Sequence, residues 1–218
     1  MQNSVHLKGL NGLRAIAALA VVVSHTLLFS KQFGLSKSTG VDLAGFGVSI
    51  FFSLSGFLIT YLLLLEKDRF TTINIKAFYI RRILRIWPLY YFYLFLSVIM
   101  ILIFHLGDLP GSLIYYIVLC ANIPFIAGTE LPLIGHYWSL GVEEQFYLFW
   151  PWIVKKTTRL IKVLLIFISI FLVLKIGLRL LHIKTGLLWP YLIIHVSRFE
   201  CMAIGALGAV FFFKQNKI

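Results

Sequence analysis

Apolar residues run in blocks of about 18 to 20 along the chain, separated by short polar or basic segments, and a block of that length crosses a bilayer as a helix. The pattern predicts spans over 10–29, 46–65, 88–105, 137–154, 163–181 and 198–213, with 189–196 leading into the last. A shorter apolar stretch over 112–126 is interrupted by Asn122 and Pro124, and reads as a tilted or re-entrant piece. Pro88 suits the first turn of the third span, and Gly107, Asp108 and Pro110 end that span. Backbone groups in lipid must be satisfied within the segment, which favours helices. The alternating strands of a membrane barrel are absent. The expected fold is all-α, a polytopic transmembrane helix bundle.

Composition excludes a soluble domain: 60% of the 218 residues are hydrophobic and 13% are charged, against roughly 25% charged in soluble proteins. The net charge of +12 would suggest nucleic acid in a soluble chain. Here Lys and Arg cluster between apolar runs, which is the signature of cytoplasmic loops, so no nucleic-acid partner is expected. The segments 66–85 and 155–162 are the most basic. Both are expected on the cytoplasmic side, with the N-terminus, and the polar 30–42 loop on the other. That arrangement requires 112–126 not to cross fully, giving six spans; a crossing there would make seven. The first apolar run carries Arg14 and extends to Phe29, longer than a cleavable signal sequence. Cys120 and Cys201 form neither a metal motif nor a disulfide framework, and no His/Asp/Glu cluster has metal-ligand spacing. No repeat or linker divides residues 1–218, so a single domain is expected.

Chemistry is sought where polar groups enter apolar helices. An ionisable side chain at mid-membrane costs about 2.5–3.5 kcal/mol on insertion scales, so such residues mark functional sites or ion pairs. Glu143 and Glu144 are two of only eight acidic residues; a structural pair with Arg14 or Arg198 is the plainer reading. Arg14 and His25 are eleven residues apart, three helical turns, and so share one face about 16 Å apart. Ser139 lies four residues before Glu143, on the same face. Arg81, Arg82 and Arg85 interleave with Phe78, Ile83 and Leu84 before Pro88. They read as a short amphipathic helix at the membrane surface or as a phosphate clamp. The small residues of Phe51–Phe52–Ser53–Leu54–Ser55–Gly56 suggest close helix packing. These features suit an enzyme with a membrane-embedded base. They also suit a proton-coupled transporter or acyl-group conduit, and a purely structural subunit would tolerate loss of all of them.

Five segments together resemble a known family. "LNGLRAIAALAVVVSH" at 10–25, "FGVSIFFSLSGFLIT" at 46–60, "FYIRRILRIWPLYY" at 78–91, "HYWSLGVEEQFYLFWP" at 136–151 and "RFECMAIGALGAV" at 198–210 resemble, in order, the blocks of the bacterial integral membrane acyltransferases called acyltransferase family 3. The resemblance implies an O-acyltransferase moving acetyl from acetyl-CoA to a hydroxyl of a cell-envelope polysaccharide or lipid-linked sugar, in the bacterial inner membrane and with no tightly bound cofactor. It implies His25 as the catalytic residue with Arg14 as its companion, and Glu143 as the more constant glutamate of the fourth block. It also implies Arg82 and Arg85 as the holders of the CoA phosphates, and Arg198 as the arginine of the fifth block. The family core is longer than this chain, so residues 1–218 are expected to be its N-terminal part.

Overall fold

The computed structural model describes residues 9–32, 34, 43–106 and 111–215. Most of the 30–42 loop, and the breakers Gly107, Asp108 and Pro110, lie outside these residues. The chain order is α1 (Leu10–Gln32), α2 (Leu43–Phe70), α3 (Ile75–Phe104), α4 (Leu113–Ile117), α5 (Asn122–Ala127), α6 (Tyr137–Lys156), α7 (Leu160–Thr185), α8 (Trp189–Ser197) and α9 (Phe199–Gln215). The all-α expectation holds. Among the described residues, five helical segments are long and apolar enough to cross a membrane: Leu10–Leu27, Leu43–Phe70, Ile75–Phe104, Leu160–Thr185 and the joined Trp189–Gln215. The span expected over 137–154 is α6, whose polar Glu143, Glu144 and Gln145 keep it out of that set.

Two expectations change. Pro88 does not open the third helix; α3 is continuous from Ile75 to Phe104 with Pro88 inside it. Its true start is Asn74, whose side chain accepts from the Ala77 backbone N–H at 3.0 Å. That cap satisfies one of the donors an α-helix leaves free at its start. The arginines at 81–85 therefore sit on the first turns of a spanning helix and not on a separate surface helix. The 112–126 stretch forms α4 and α5, five and six residues long, each far too short to cross at about 1.5 Å per residue.

Tyrosines hold this folded-back piece. Tyr90 Oη donates to Tyr116 O at 2.9 Å and Tyr91 Oη to Ile117 O at 2.8 Å. The Leu131 backbone N–H donates to Tyr116 Oη at 3.0 Å. Gly141 lets α6 approach: a Cβ there would lie 3.0 Å from Leu119 O.

The centre of the bundle is α2 against α9. A Cβ at Gly56 would fall 2.0 Å from Met202 O, and one at Gly205 would fall 1.8 Å from Ser53 O. Backbone meets backbone there, which is the use of small residues in membrane helices. Phe52, Ile59 and Leu63 of α2 join Phe146 and Trp150 of α6 and Met202, Ala203 and Ala206 of α9 in one buried cluster. Gly47 lets α1 close on α2, its missing Cβ lying 2.7 Å from Ala17 O. Helices α2 and α6 run parallel, because contacts advance together along them: Ser55 to Tyr147, Trp150 to Thr60 and Lys67 to Val154. Helix α9 runs the same way along α2, from Arg198 at Ser49 through Gly208 at Phe57 to Phe213 at Tyr61.

The two basic loops meet at one end of the bundle. The Lys67 ammonium donates to the carbonyls of Val154 (2.7 Å), Lys155 (3.0 Å) and Thr157 (3.0 Å). It uses all three donors on the orphaned carbonyls at the end of α6, where a cation also suits the helix dipole. Lys155 returns a bond to Ile73 O at 2.9 Å.

Candidate active site

A cleft of about 740 Å³ opens at this basic end, lined among others by Glu66, Arg69, Asn74, Phe78, Arg81 and Arg82. Its rim is built by Glu66. One carboxylate oxygen accepts from the Asn74 backbone N–H at 2.7 Å, and the other pairs with Arg81 at 2.9 Å. Arg81 is thus partly neutralised at the mouth, where an exposed pair contributes little stability. Arg82 turns inward. Its guanidinium lies 5.8 Å from the ring centroids of both Phe78 and Tyr147, and its Nε is buried with no hydrogen-bond partner among the described residues. Arg85 is exposed on the same helix, outside the cleft lining.

Behind Arg82 lies the polar interior of the bundle. Tyr147 Oη donates to Glu143 Oε2 at 3.1 Å, and the same hydroxyl bonds Ser55 Oγ across the α2–α6 interface. Glu144, next on α6, accepts from Trp87 Nε1 at 3.4 Å, while its Oε1 is buried without a partner among the described residues. Arg82 is the cation whose charge reaches both carboxylates. The alternative of a structural ion pair with Arg14 or Arg198 is not realised: Arg198 donates to Gly45 O at 2.6 Å and to Ser49 Oγ at 2.7 Å on α2. Its left-handed backbone, φ 44°, breaks α8 from α9 and aims the side chain sideways. Ser139 does not reach Glu143 either, because its hydroxyl donates to His136 O at 3.1 Å within its own turn.

His25 and Arg14 stand on α1, an uninterrupted helix from Leu10 to Gln32, so their three-turn spacing is real. His25 Nδ1 lies 2.9 Å from Val21 O. A carbonyl can only accept, so Nδ1 carries the hydrogen in this bond, and in the neutral ring Nε2 then holds the lone pair of a proton acceptor. Its titratable neighbour is His136, at the start of α6. Burial lowers the pKa of His136, and the His25 imidazole lowers it further. His25 thus lies toward the end of the bundle opposite the basic loops. Glu143 is seven residues into α6 from His136, about 10 Å by helix rise. Among the described residues no hydrogen bond or ion pair joins His25 or Arg14 to Glu143.

Sequence reasoning missed Arg69 as a cleft residue and the Ser55–Tyr147–Glu143 chain. Tyr147, four residues after Glu143 on one face, carried the signal for half of that chain. The pairing across to Ser55 is a tertiary fact.

A peptidoglycan O-acetyltransferase of Listeria monocytogenes, OatA, is 34% identical over 157 residues, covering 67% of this chain and 24% of the relative. A Bacillus subtilis protein named "Putative peptidoglycan O-acetyltransferase YrhL" is 36% identical over 167 residues, 69% of this chain and again 24% of the relative. The chain therefore spans about a quarter of the length of these curated relatives. No solved structure matches it. Residues 7–217 match the acyltransferase-domain family, and with that match over nearly its whole length the chain belongs to acyltransferase family 3.

Proposed function

We propose that this chain carries a membrane O-acetyltransferase site that uses acetyl-CoA and delivers acetyl to a hydroxyl of a cell-envelope glycan. Peptidoglycan is the first acceptor to test, given the names of its relatives. The observation that carries the reading is the cleft at the basic end. Its volume lies within the roughly 300–1,000 Å³ range of small-molecule sites. Cations stand at its mouth, and a half-buried arginine whose Nε is buried and unused leads to the interior carboxylates. Guanidinium forks suit phosphate oxygens, so Arg69, Arg82 and the neighbouring Arg85 take the donor's phosphates. The acyl arm then points past Phe78 toward Glu143.

The reaction forms a C–O bond at the acetyl carbonyl and breaks its C–S bond, and the acceptor's proton ends on the departing thiolate. His25, with Nε2 as acceptor, either takes that proton from the hydroxyl or carries the acetyl group between the two. Arg14, three turns away on the same face and so about 16 Å from His25, acts as an anion clamp at a different level from the reacting carbonyl. Glu143, tethered by Tyr147 and Ser55, keeps Arg82 oriented at the inner end of the path, the part a third group plays beside a base.

Two measurements test this. Arg82→Gln removes a charge-assisted contact, and should raise the KM for acetyl-CoA about tenfold or more, while the protein accumulates normally in membranes. An unchanged donor KM would make Arg82 a structural cation. By the distribution of Lys and Arg, the cleft faces the cytoplasm. A cysteine replacing Thr72, exposed at the cleft, should react with an impermeant thiol reagent only after the membrane is breached, above the background of Cys120 and Cys201. Labelling from outside intact cells would invert the orientation.

A further inference from the structure

We propose that the groove between α7 and α8, at the end of the bundle away from the basic loops, binds the phosphate of an anionic lipid. The inference is independent of the transferase reading.

The argument starts from charge. Over residues 160–215 the only carboxylate is Glu200, against Lys162, Lys175, Arg179, Lys184, Arg198 and Lys214. Glu200 is buried and paired with Lys175, and Arg198 is held by carbonyl and hydroxyl oxygens of α2. Arg179 has no acidic partner among the described residues. Its guanidinium lies 5.1 Å from the centroid of the Tyr191 ring.

Tyr191 is itself framed by two histidines. The ring of His182 lies parallel to it at 6.2 Å, and that of His195 at 5.2 Å with Nδ1 3.4 Å from the Tyr191 hydroxyl. The Nδ1 of His182 is buried and has no hydrogen-bond partner among the described residues. A guanidinium with no acidic partner thus lies on a tyrosine ring that two imidazoles flank.

Depth identifies the ligand. Helix α7 has 26 residues, about 39 Å of rise, against a hydrocarbon core of about 30 Å. Centred in that core, it sets His182 near the hydrocarbon boundary and Arg179 just within it. Trp189, exposed at the start of α8, is the residue type that settles at the headgroup level. A long cation near a helix end ordinarily extends along the helix to reach water. Arg179 instead lies against Tyr191, beside a groove of about 250 Å³ whose other walls are the apolar Leu172, Ile176 and Leu180 and the Glu200-paired Lys175. Apolar walls running toward mid-membrane accommodate an acyl chain, and cations at the top take a phosphate. A soluble anion would gain nothing from those walls.

The test is lipid retention by the whole protein. The chain is reconstituted in nanodiscs of mixed phosphatidylglycerol and phosphatidylcholine, extracted, and its bound lipid read by native mass spectrometry. Phosphatidylglycerol should be retained over phosphatidylcholine, and Arg179→Gln should lower that retention about tenfold. Lys184→Gln, which removes a charge outside the groove, should leave it unchanged. Arg179→Lys, which keeps the charge but not the fork, should fall between; it supplies the reading if Arg179→Gln fails to fold by circular dichroism. Retention equal to wild type in both Arg179 variants would overturn the proposal. So would equal loss in Lys184→Gln, which would mean attraction to charge in general. Displacement of the lipid by millimolar inorganic phosphate would make this a site for the free anion and would overturn the lipid assignment.

Discussion

His25→Gln is expected to abolish measurable acetyl transfer while the protein inserts and accumulates as wild type does. General-base assistance contributes about 10² to 10⁴ in rate, and the loss should reach at least the lower figure. The geometry makes glutamine the informative replacement. His25 spends its Nδ1–H on Val21 O, a bond that glutamine's amide group can imitate. Glutamine cannot offer the basic lone pair that Nε2 presents on the exposed face of α1. A histidine needed only for that helix contact would tolerate the exchange. Insertion should survive, because glutamine is uncharged and about as polar as the neutral imidazole it replaces. The measurement is transfer of labelled acetyl from acetyl-CoA in membranes, normalised to protein level. Wild-type transfer by His25→Gln would remove His25 from the mechanism and leave Glu143 as the candidate base.

Gly205→Ala is expected to destabilise the bundle sharply, and Gly208→Ala, one turn further along α9, should be neutral or slightly stabilising. Both add one methyl group, and alanine in a helix interior is better than glycine by roughly 0.5–1 kcal/mol. At Gly208 the new Cβ meets only Phe57 Cδ2 at 3.7 Å, an ordinary contact. At Gly205 it would fall 1.8 Å from the carbonyl oxygen of Ser53, and backbone cannot step aside as a side chain can. The helices must separate, and overpacking of this kind costs about 1–3 kcal/mol or more. Gly56→Ala should behave like Gly205→Ala, its Cβ lying 2.0 Å from Met202 O. Thermal unfolding in detergent, followed by tryptophan fluorescence, measures the difference. Equal midpoints for the Gly205 and Gly208 variants would show that α2 and α9 do not approach this closely. Because Ser55 and Arg198 sit within this packed region, the loss should carry the interior polar cluster with it.

Much of the architecture was legible in the chain, because lipid restricts the choices. A block of 18 or more apolar residues has one stable form there, a helix with its hydrogen bonds closed internally. The spans at 10–29, 46–65 and 163–181 therefore fall inside α1, α2 and α7. The third helix begins at Ile75, well before Pro88, which the sequence pattern marks as a helix start. In the structure Asn74 supplies the cap, and Pro88 is tolerated inside the helix. The basic segments at 66–85 and 155–162 signalled a shared end, and the bonds from Lys67 and Lys155 join them there.

The candidate site was legible as residues and not as an arrangement. Glu143, Glu144, Arg14 and His25 stand out because charge inside an apolar helix is costly, and Arg82 because it belongs to a basic cluster suited to phosphate; both are properties of sequence. Which charge offsets which is settled by how helices far apart in the chain pack. Glu144 could have paired with Arg14 or Arg198. It faces Arg82 and Trp87 instead, because α3 crosses α6 at that height, and Arg198 is drawn to α2 by the break at its own backbone. Ser55 looked like one more small packing residue until α2 and α6 came together parallel and set its hydroxyl on Tyr147. The sequence by itself determined that this is a helical membrane protein, where its helices run and which side chains are too polar to be idle. Only the tertiary structure decided their partners, because helix periodicity fixes a residue's face on its own helix and says nothing about the helix that packs against it.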